Sequence, residues 1–517
     1  MLLHDYMENF ARDMPDHHWA EMDGRVVTYS EADVLANRFA NSLSASGITK
    51  GVRFAYLSRN SIEMAMMYFA ASKVGAVPVP LNYRLAPREW LYIINDADSK
   101  ALFIQDDFAE GIDSVRDELA VDHYILTRGA RDGWATYDSW LGDDDSKPDV
   151  EVLPSDQLYQ MYTSGTTGLP KGAMLSQSAI DNNLVMFSNG VDMRLGKERG
   201  LVVAPMYHAA AGVSLMMSGS RGGTIVIQED FNPVNVVDAL SNERITSVTL
   251  VPAMIQACLV AVPDIADRDF SELRFIGYGA SPIAQETLKA AMGVFGCGFI
   301  QGFGMTETSA IVTILSAEDH ERAVTGEPGL LASCGRPAVG TQVKIVDDDD
   351  NEVPRGTVGE IIVKGPQLMS GYWNLPEATD KALKSGWMHT GDAAYMEDDG
   401  YLYIKDRIKD MIVSGGENIY PTEIENALFE HEAVEDAAVI GIPSEQWGES
   451  VMAFVVLKEG QQLSADDVIE HCRPRLGGYK IPRKVEFLAE IPRNASGKVL
   501  KKDLREPYWE GVERRVG

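Results

Sequence analysis

The sequence predicts an α/β protein in two unequal parts: a large multi-subdomain N-terminal domain of layered sheets and helices, and a small mobile α+β C-terminal domain. Three observations predict it. Apolar runs of strand length alternate with helix-like segments through the first four hundred residues, the pattern of layered α/β structure. Near residue 400 the texture changes to short aromatic strands and tight turns, and a charged connector, Asp406-Arg407-Ile408-Lys409-Asp410, follows. The 517 residues exceed one ordinary core and suit about two to four compact units.

Taken in order, residues 52–57 read as a strand, 62–73 as a helix and 76–80 as a second strand. The most apolar stretch, 63–83, is broken by Lys73, Pro78 and Pro80, so it is expected to be buried core and not a membrane span. Strands are expected at 158–161 and 172–175, on either side of a loop rich in Gly, Ser and Thr. The turn Asp398-Asp399-Gly400 introduces an aromatic strand at 401–404. Beyond the connector, residues 421–430 read as a helix with acids in its first turn, and 434–440 and 451–457 as strands. The expected boundaries are an N-terminal nucleotide- and acid-binding domain at 1–405, a hinge at 406–409 and a C-terminal domain at 410–517.

Composition narrows the function classes. With 45% hydrophobic and 24% charged residues the chain has the material of a soluble globular enzyme. Its opening residues mix acids and histidines into the apolar positions, unlike a signal peptide. Four scattered cysteines, at 258, 297, 334 and 472, form no CxxC pair and fit a reducing cytoplasm. A formal charge of −31 opposes binding to nucleic acid or anionic lipid. The exception is residues 471–517, where 12 Lys/Arg face 6 Asp/Glu.

Five motifs carry chemistry. Tyr162-Thr-Ser-Gly-Thr-Thr-Gly-Leu-Pro-Lys171-Gly172 is a phosphate loop: its glycines let backbone N–H groups converge, Ser164, Thr166 and Thr167 add hydroxyl donors, and Lys171 adds a compact positive charge. Its spacing differs from the P-loop of nucleotide triphosphatases, and a flexible linker would need neither flanking strands nor a lysine. In Gln301-Gly-Phe-Gly-Met-Thr-Glu307, Phe303 offers a flat face to a purine, Thr306 a hydroxyl to phosphate and Glu307 a hard oxygen to Mg²⁺. Gly386-Trp-Met-His-Thr-Gly-Asp392 ends in a carboxylate suited to the two hydroxyls of a ribose. The segment from Asp406 to Glu425 pairs a solvated pivot with Gly415-Gly416, a backbone surface open to close approach. Last, Pro492-Arg-Asn-Ala-Ser-Gly-Lys498 sets a lysine on a short turn, where domain movement can bring it to an anionic site.

Together these residues resemble the superfamily of acyl-CoA synthetases, nonribosomal peptide adenylation domains and beetle luciferases, in the family order and across essentially the whole chain. The resemblance implies an acid–thiol ligase that uses ATP, Mg²⁺ and CoA, activates a small-molecule carboxylic acid as an acyl-AMP and passes it to a thiol. It implies that Thr163, Ser164, Gly165, Thr166, Thr167, Gly168 and Lys171 handle the ATP phosphates. Gly279, Ala280, Ser281 and Phe303 would flank adenine, Gly302, Gly304, Met305 and Gly415 would be cofactor-binding, Thr306 would touch phosphate, Glu307 would hold Mg²⁺, and Asp392 and Arg407 would bind ribose. Lys498 resembles the adenylation lysine, Lys409 stands at the hinge position, Gly416 resembles the glycine lining the pantetheine tunnel, and His208 matches the histidine beside the acyl pocket. Tyr207 departs from the phenylalanine common there. Arg473, Arg475, Lys480, Arg483 and Lys484 are candidates for the CoA phosphates by their clustering.

Two alternatives stay in view at this stage: an enzyme that passes the acyl group to an amine or a carrier protein, and a non-catalytic nucleotide sensor, which is expected to have lost Lys498 or Glu307. The pocket segments 209–217 and 278–280 are mostly small or aliphatic, which favours a fatty or other apolar acid, or an aryl acid, over an amino acid. Self-association as a homodimer stays open.

Overall fold

The computed structural model describes residues 1–163, 169–280, 283, 285–415, 417–444, 446–493 and 498–509. It is a mixed α/β protein with a large N-terminal domain and a small C-terminal one. The N-terminal part contains two sheets with parallel cores. The larger has nine strands; its central run, Gly298–Phe303, Phe275–Gly279, Ser247–Leu250, Arg199–Val202, Thr224–Ile227 and His18–Met22, is parallel throughout. The second is a five-stranded parallel sheet whose member Ala101–Gln105 is buried at every position. Helices cover both faces of such sheets, so the strands read as continuous apolar runs without alternation.

The apolar stretch at 63–83 illustrates the local logic. Ser61 caps the helix Ile62–Val74 by accepting from the Met64 N–H, and Gly75 ends it in the left-handed region. The helix is buried almost all round, and its one buried cation, Lys73, is held between Glu8 (2.7 Å) and Asp33 (2.8 Å). The next strand, Val77–Leu81, contains two prolines yet lies at the edge of its sheet. Pro78 and Pro80 are two apart and present their missing N–H groups to the same side, the open one.

An antiparallel sheet carries Trp387–Met396 beside Leu402–Arg407. The aromatic strand expected at 401–404 therefore belongs to the large domain. A three-stranded sheet joins Gln157–Thr163, Lys171–Ser176 and Gly371–Tyr372. After residue 411 the chain builds its own five-stranded sheet around the long hairpin of Val434–Ser444 and Gly448–Leu457. One face packs Ile424, Leu428, Val468 and Cys472 from two helices, and the other packs Leu504 from a third. Among the described residues, neither of these two clusters includes a side chain from before Ile412.

Candidate active site

The phosphate-loop motif sits between two antiparallel strands that place Thr163 opposite Lys171. Both flanking strands expected from sequence are present. Ser164, Gly165, Thr166, Thr167 and Gly168, expected to meet phosphate, lie outside the described residues. Lys171 stands over the ring of Tyr372, 5.1 Å from its centroid, a cation–π contact.

Tyr372 is the residue that sequence reasoning missed. Its strand pairs with the one that leaves the loop, Tyr372 opposite Ala173, and its hydroxyl donates to Glu307 Oε1 at 2.8 Å. Thr163 Oγ1 donates more weakly to the same oxygen, at 3.4 Å. Glu307 lies in the 3₁₀ turn Thr306–Thr308 and is 5% exposed; the turn is stabilised by the Met305 N–H donating to Thr308 Oγ1. Oε2 of Glu307 has no hydrogen bond among the described residues, so one oxygen is anchored and the other is presented. That donor set suits Mg²⁺, which is commonly bound by one or two carboxylates while phosphates and water supply the rest.

The segments expected to hold adenine are adjacent parallel strands, with Gly279 level with Gly302. A Cβ on Gly279 would lie 2.2 Å from the Gly302 carbonyl oxygen, so the backbones meet here with no room for a side chain. Ala280 follows in a left-handed conformation, φ 67°, the kind of local strain that concentrates at functional turns. Phe303 and Met305 are half-buried, as are Gly304 and Thr306, and Ser281 lies outside the described residues.

Asp392 is buried and faces Arg407 across the antiparallel sheet, with Nε 2.6 Å from Oδ1. Burial pushes its carboxyl above the usual range, while the charges of Arg407 and Lys498 pull it down. Arg407 also donates to the Thr390 carbonyl (3.3 Å), which fixes the guanidinium plane.

Lys498 comes to this cluster from the far end of the chain. Its side chain keeps accessible surface while protein crowds it from several sides. That desolvation, followed by repulsion from Arg407, lowers its pKa below the ordinary lysine value; Asp392 and Glu307 oppose the shift. Lys498 also acts on His208, the residue before the helix Ala209–Ser220. Burial, then the positive charges of Lys498 and Arg84, push His208 down to about 4, so its ring is neutral at pH 7. The buried Nε2 of His208 and the buried hydroxyl of Tyr207 have no hydrogen-bond partner among the described residues. Buried polar atoms are seldom left so, and two on neighbouring residues are suited to an incoming ligand.

Lys409, expected at the hinge, sits in the 3₁₀ turn Ile408–Asp410, half-buried, with its pKa lowered first by burial. Gly415 has φ 62°, and a Cβ there would come within 2.9 Å of the Trp447 ring. Close approach at Gly415 is thus already made by the Trp447 indole; Gly416 lies outside the described residues. The basic tail is less available than its composition suggests. Arg473 pairs with Glu470 (2.7 Å), Arg475 with Glu430 (2.8 Å) and Lys480 with Glu423 (2.7 Å), while Arg483 lies over the Trp447 ring and Lys484 over Tyr508.

A family model described as AMP-binding enzyme matches residues 7–373, and one described as AMP-binding enzyme C-terminal domain matches residues 423–498. The chain belongs to the AMP-binding enzyme family. This AMP-binding enzyme is 37% identical over 500 residues to the fatty acid–[acyl-carrier-protein] ligase ScoC of Streptomyces coeruleorubidus, covering 96% of this chain and 94% of that one. It is 38% identical over 512 residues to the indoleacetate–CoA ligase of Aromatoleum aromaticum, covering 98% of each chain. In structure it resembles the fatty acyl CoA synthetase of Mycobacterium tuberculosis with a TM-score of 0.77, 34% identity and 99% of each chain covered. The enzyme is therefore a member of the adenylate-forming superfamily, as its motifs had indicated.

Proposed function

We infer that this enzyme is an ATP-dependent acid:CoA ligase acting on an apolar or aryl carboxylic acid. The observation that carries the reading is the convergence of Asp392, Glu307 and His208 around Lys498 from four distant parts of the chain. In the first step the acid carboxylate attacks the α-phosphorus of ATP in line and pyrophosphate leaves; in the second the CoA thiol attacks the acyl carbon and AMP leaves. The carboxylate and the triphosphate repel each other, and a partly desolvated lysine offsets that repulsion where it is greatest. Lys498 is assigned that role. Lys171 and the loop hydroxyls would take the charge growing on pyrophosphate, Asp392 and Arg407 the ribose, and the strand ends at Gly279 and Gly302 the adenine. Glu307 would hold Mg²⁺ through its presented oxygen, and that ion when bound supplies neutralising charge to the phosphates. The neutral ring of His208 suits the wall of an acyl pocket better than proton transfer.

The proposed domains are 1–405 and 410–517 with a hinge at 406–409, a division supported by the separate cores and by the separate family models. Rotation about Lys409 would withdraw Lys498 after adenylation and bring Gly416 to the cleft for the thiol. A cytoplasmic location is supported by four free cysteines. Among the described residues no helix is long and apolar enough to cross a membrane.

A carboxylic-acid panel with ATP, Mg²⁺ and CoA, read by mass spectrometry, tests the reading: AMP and an acyl-CoA are expected, and absence of pyrophosphate exchange with every acid overturns it. A second acceptor is favoured by a specific observation. Three of the five cations offered to CoA phosphates are already paired with carboxylates, and one relative is named for a carrier-protein acceptor. Offering a phosphopantetheinylated carrier protein and CoA in the same assay separates the two.

A further inference from the structure

The helix Pro421–Phe429 of the C-terminal domain starts without a cap of its own. Proline occupies its first turn, and Tyr420, at the capping position, provides no side-chain bond to the free N–H groups. The missing acceptor comes from outside the domain. Asp406 Oδ2 accepts from both the Thr422 N–H and the Thr422 hydroxyl, each at 3.0 Å. Asp406 belongs to the strand Leu402–Arg407, where it is level with Ala393 in the antiparallel sheet of the large domain. Donor and acceptor therefore lie on opposite sides of the turn that contains Lys409.

The contact is reinforced by the helix that follows Lys498. Lys501, the first residue of Lys501–Trp509, bridges Glu425 (2.9 Å) and Asp406 (3.8 Å), and all three side chains are buried or nearly so. Burial alone would lower the Lys501 pKa, but the two carboxylates raise it, so the ammonium stays charged. One turn on, Arg505 pairs with Asp410 (2.8 Å) and donates to the Lys409 carbonyl (3.3 Å). The helix that follows Lys498 is thus tied to both sides of the hinge.

We propose that Asp406 is a positioning residue for acyl-adenylate formation: by capping the helix Pro421–Phe429 across the hinge and meeting Lys501, it holds the C-terminal domain where Lys498 reaches Asp392 and Glu307. The proposal rests on the two-orientation reading above. Rotation about Lys409 would carry Thr422, Glu425 and Lys501 away together and leave Asp406 behind, so these bonds belong to one orientation only. Asp406 and Glu425 share a single ammonium, and their mutual repulsion keeps the clasp releasable.

The test compares half-reactions in full-length enzyme. Asp406→Ala is expected to slow acid-dependent pyrophosphate exchange about ten-fold, the scale of a lost cap. Transfer to CoA from chemically prepared acyl-AMP should be unchanged or faster. Asp406→Asn keeps an acceptor oxygen and should recover most of the exchange rate; Thr422→Val, which removes only the hydroxyl, should give a smaller loss of the same pattern. Amide hydrogen exchange at the start of the helix Pro421–Phe429 should accelerate in Asp406→Ala without substrate. Equal loss of both half-reactions, no loss in either, or unchanged amide exchange overturns the proposal. If wild-type enzyme activates no acid, the underlying reading fails instead, and the amide exchange still decides whether the cap exists.

Discussion

Replacing Tyr372 with phenylalanine removes one oxygen atom and leaves the ring in place under Lys171. The loss falls on Glu307, whose buried Oε1 takes its short hydrogen bond, 2.8 Å, from that hydroxyl. A hydrogen bond to a charged group contributes about 1.5–3 kcal/mol, and Thr163 at 3.4 Å is too distant to replace it. Taking about 2 kcal/mol, kcat/KM for pyrophosphate exchange should drop roughly 30-fold, with a rise in the Mg²⁺ concentration needed for half-maximal rate. Transfer from prepared acyl-AMP to the thiol should change less than about two-fold, because the phosphate side of the site is then idle. Mg²⁺-dependent ATP binding, followed by calorimetry, gives a readout independent of turnover. An unaltered Mg²⁺ dependence in Tyr372→Phe would show that the hydroxyl does not position Glu307, and the account of the metal ligand would be wrong.

Lys498→Ala should cut acyl-AMP formation by on the order of 10²–10³-fold in a pyrophosphate-exchange assay, while transfer from prepared acyl-AMP persists. Because the Lys498 pKa is lowered, the wild-type exchange rate should fall on the alkaline side before the ordinary lysine range is reached, and Lys498→Arg should move that fall to higher pH. His208, held at about 4, should add no limb near neutrality to the same profile. It is protonated more readily when unfolded, so its share of stability is present above about 6.5 and is lost as pH falls toward 4, up to about 3 kcal/mol. Thermal melts of wild type and His208→Gln from pH 4 to 7 should converge at the acid end if that is right. Gly279→Ala drives a methyl to 2.2 Å from the Gly302 carbonyl oxygen and should destabilise the fold by on the order of 2 kcal/mol and weaken nucleotide binding, measured by melting with and without ATP.

Much of the site was legible in the chain because its parts are local. A phosphate loop needs turn residues between strands, so 162–172 announces itself through glycines, hydroxyls and flanking apolar runs, and both flanking strands are found. The motif that ends in Asp392 and the pivot with its paired glycines are short-range patterns of the same kind, although the structure sets Asp392 within the strand Trp387–Met396 and not in a turn. Tyr372 had no such signal: a tyrosine between Gly371 and Trp373 reads as core until the sheet register sets it beside Ala173, with its hydroxyl on Glu307. The basic tail misled for the complementary reason. Net charge is additive along a sequence, but availability depends on partners, and Glu423, Glu430 and Glu470 already engage three of its cations.

By itself the sequence determined the class of fold, the family and the kinds of group that could handle phosphate, ribose and a thiol, because turn chemistry and hydrophobic period act over a few residues. Only the tertiary structure decided which of those groups meet. Lys498 is more than a hundred residues from Asp392 in the chain, and no local rule could say that a helix held by Lys501 to Glu425 and by Arg505 to Asp410 would follow a lysine that meets Asp392. Electrostatics and hydrogen bonding depend on separation in space, and that separation is set by packing of whole domains.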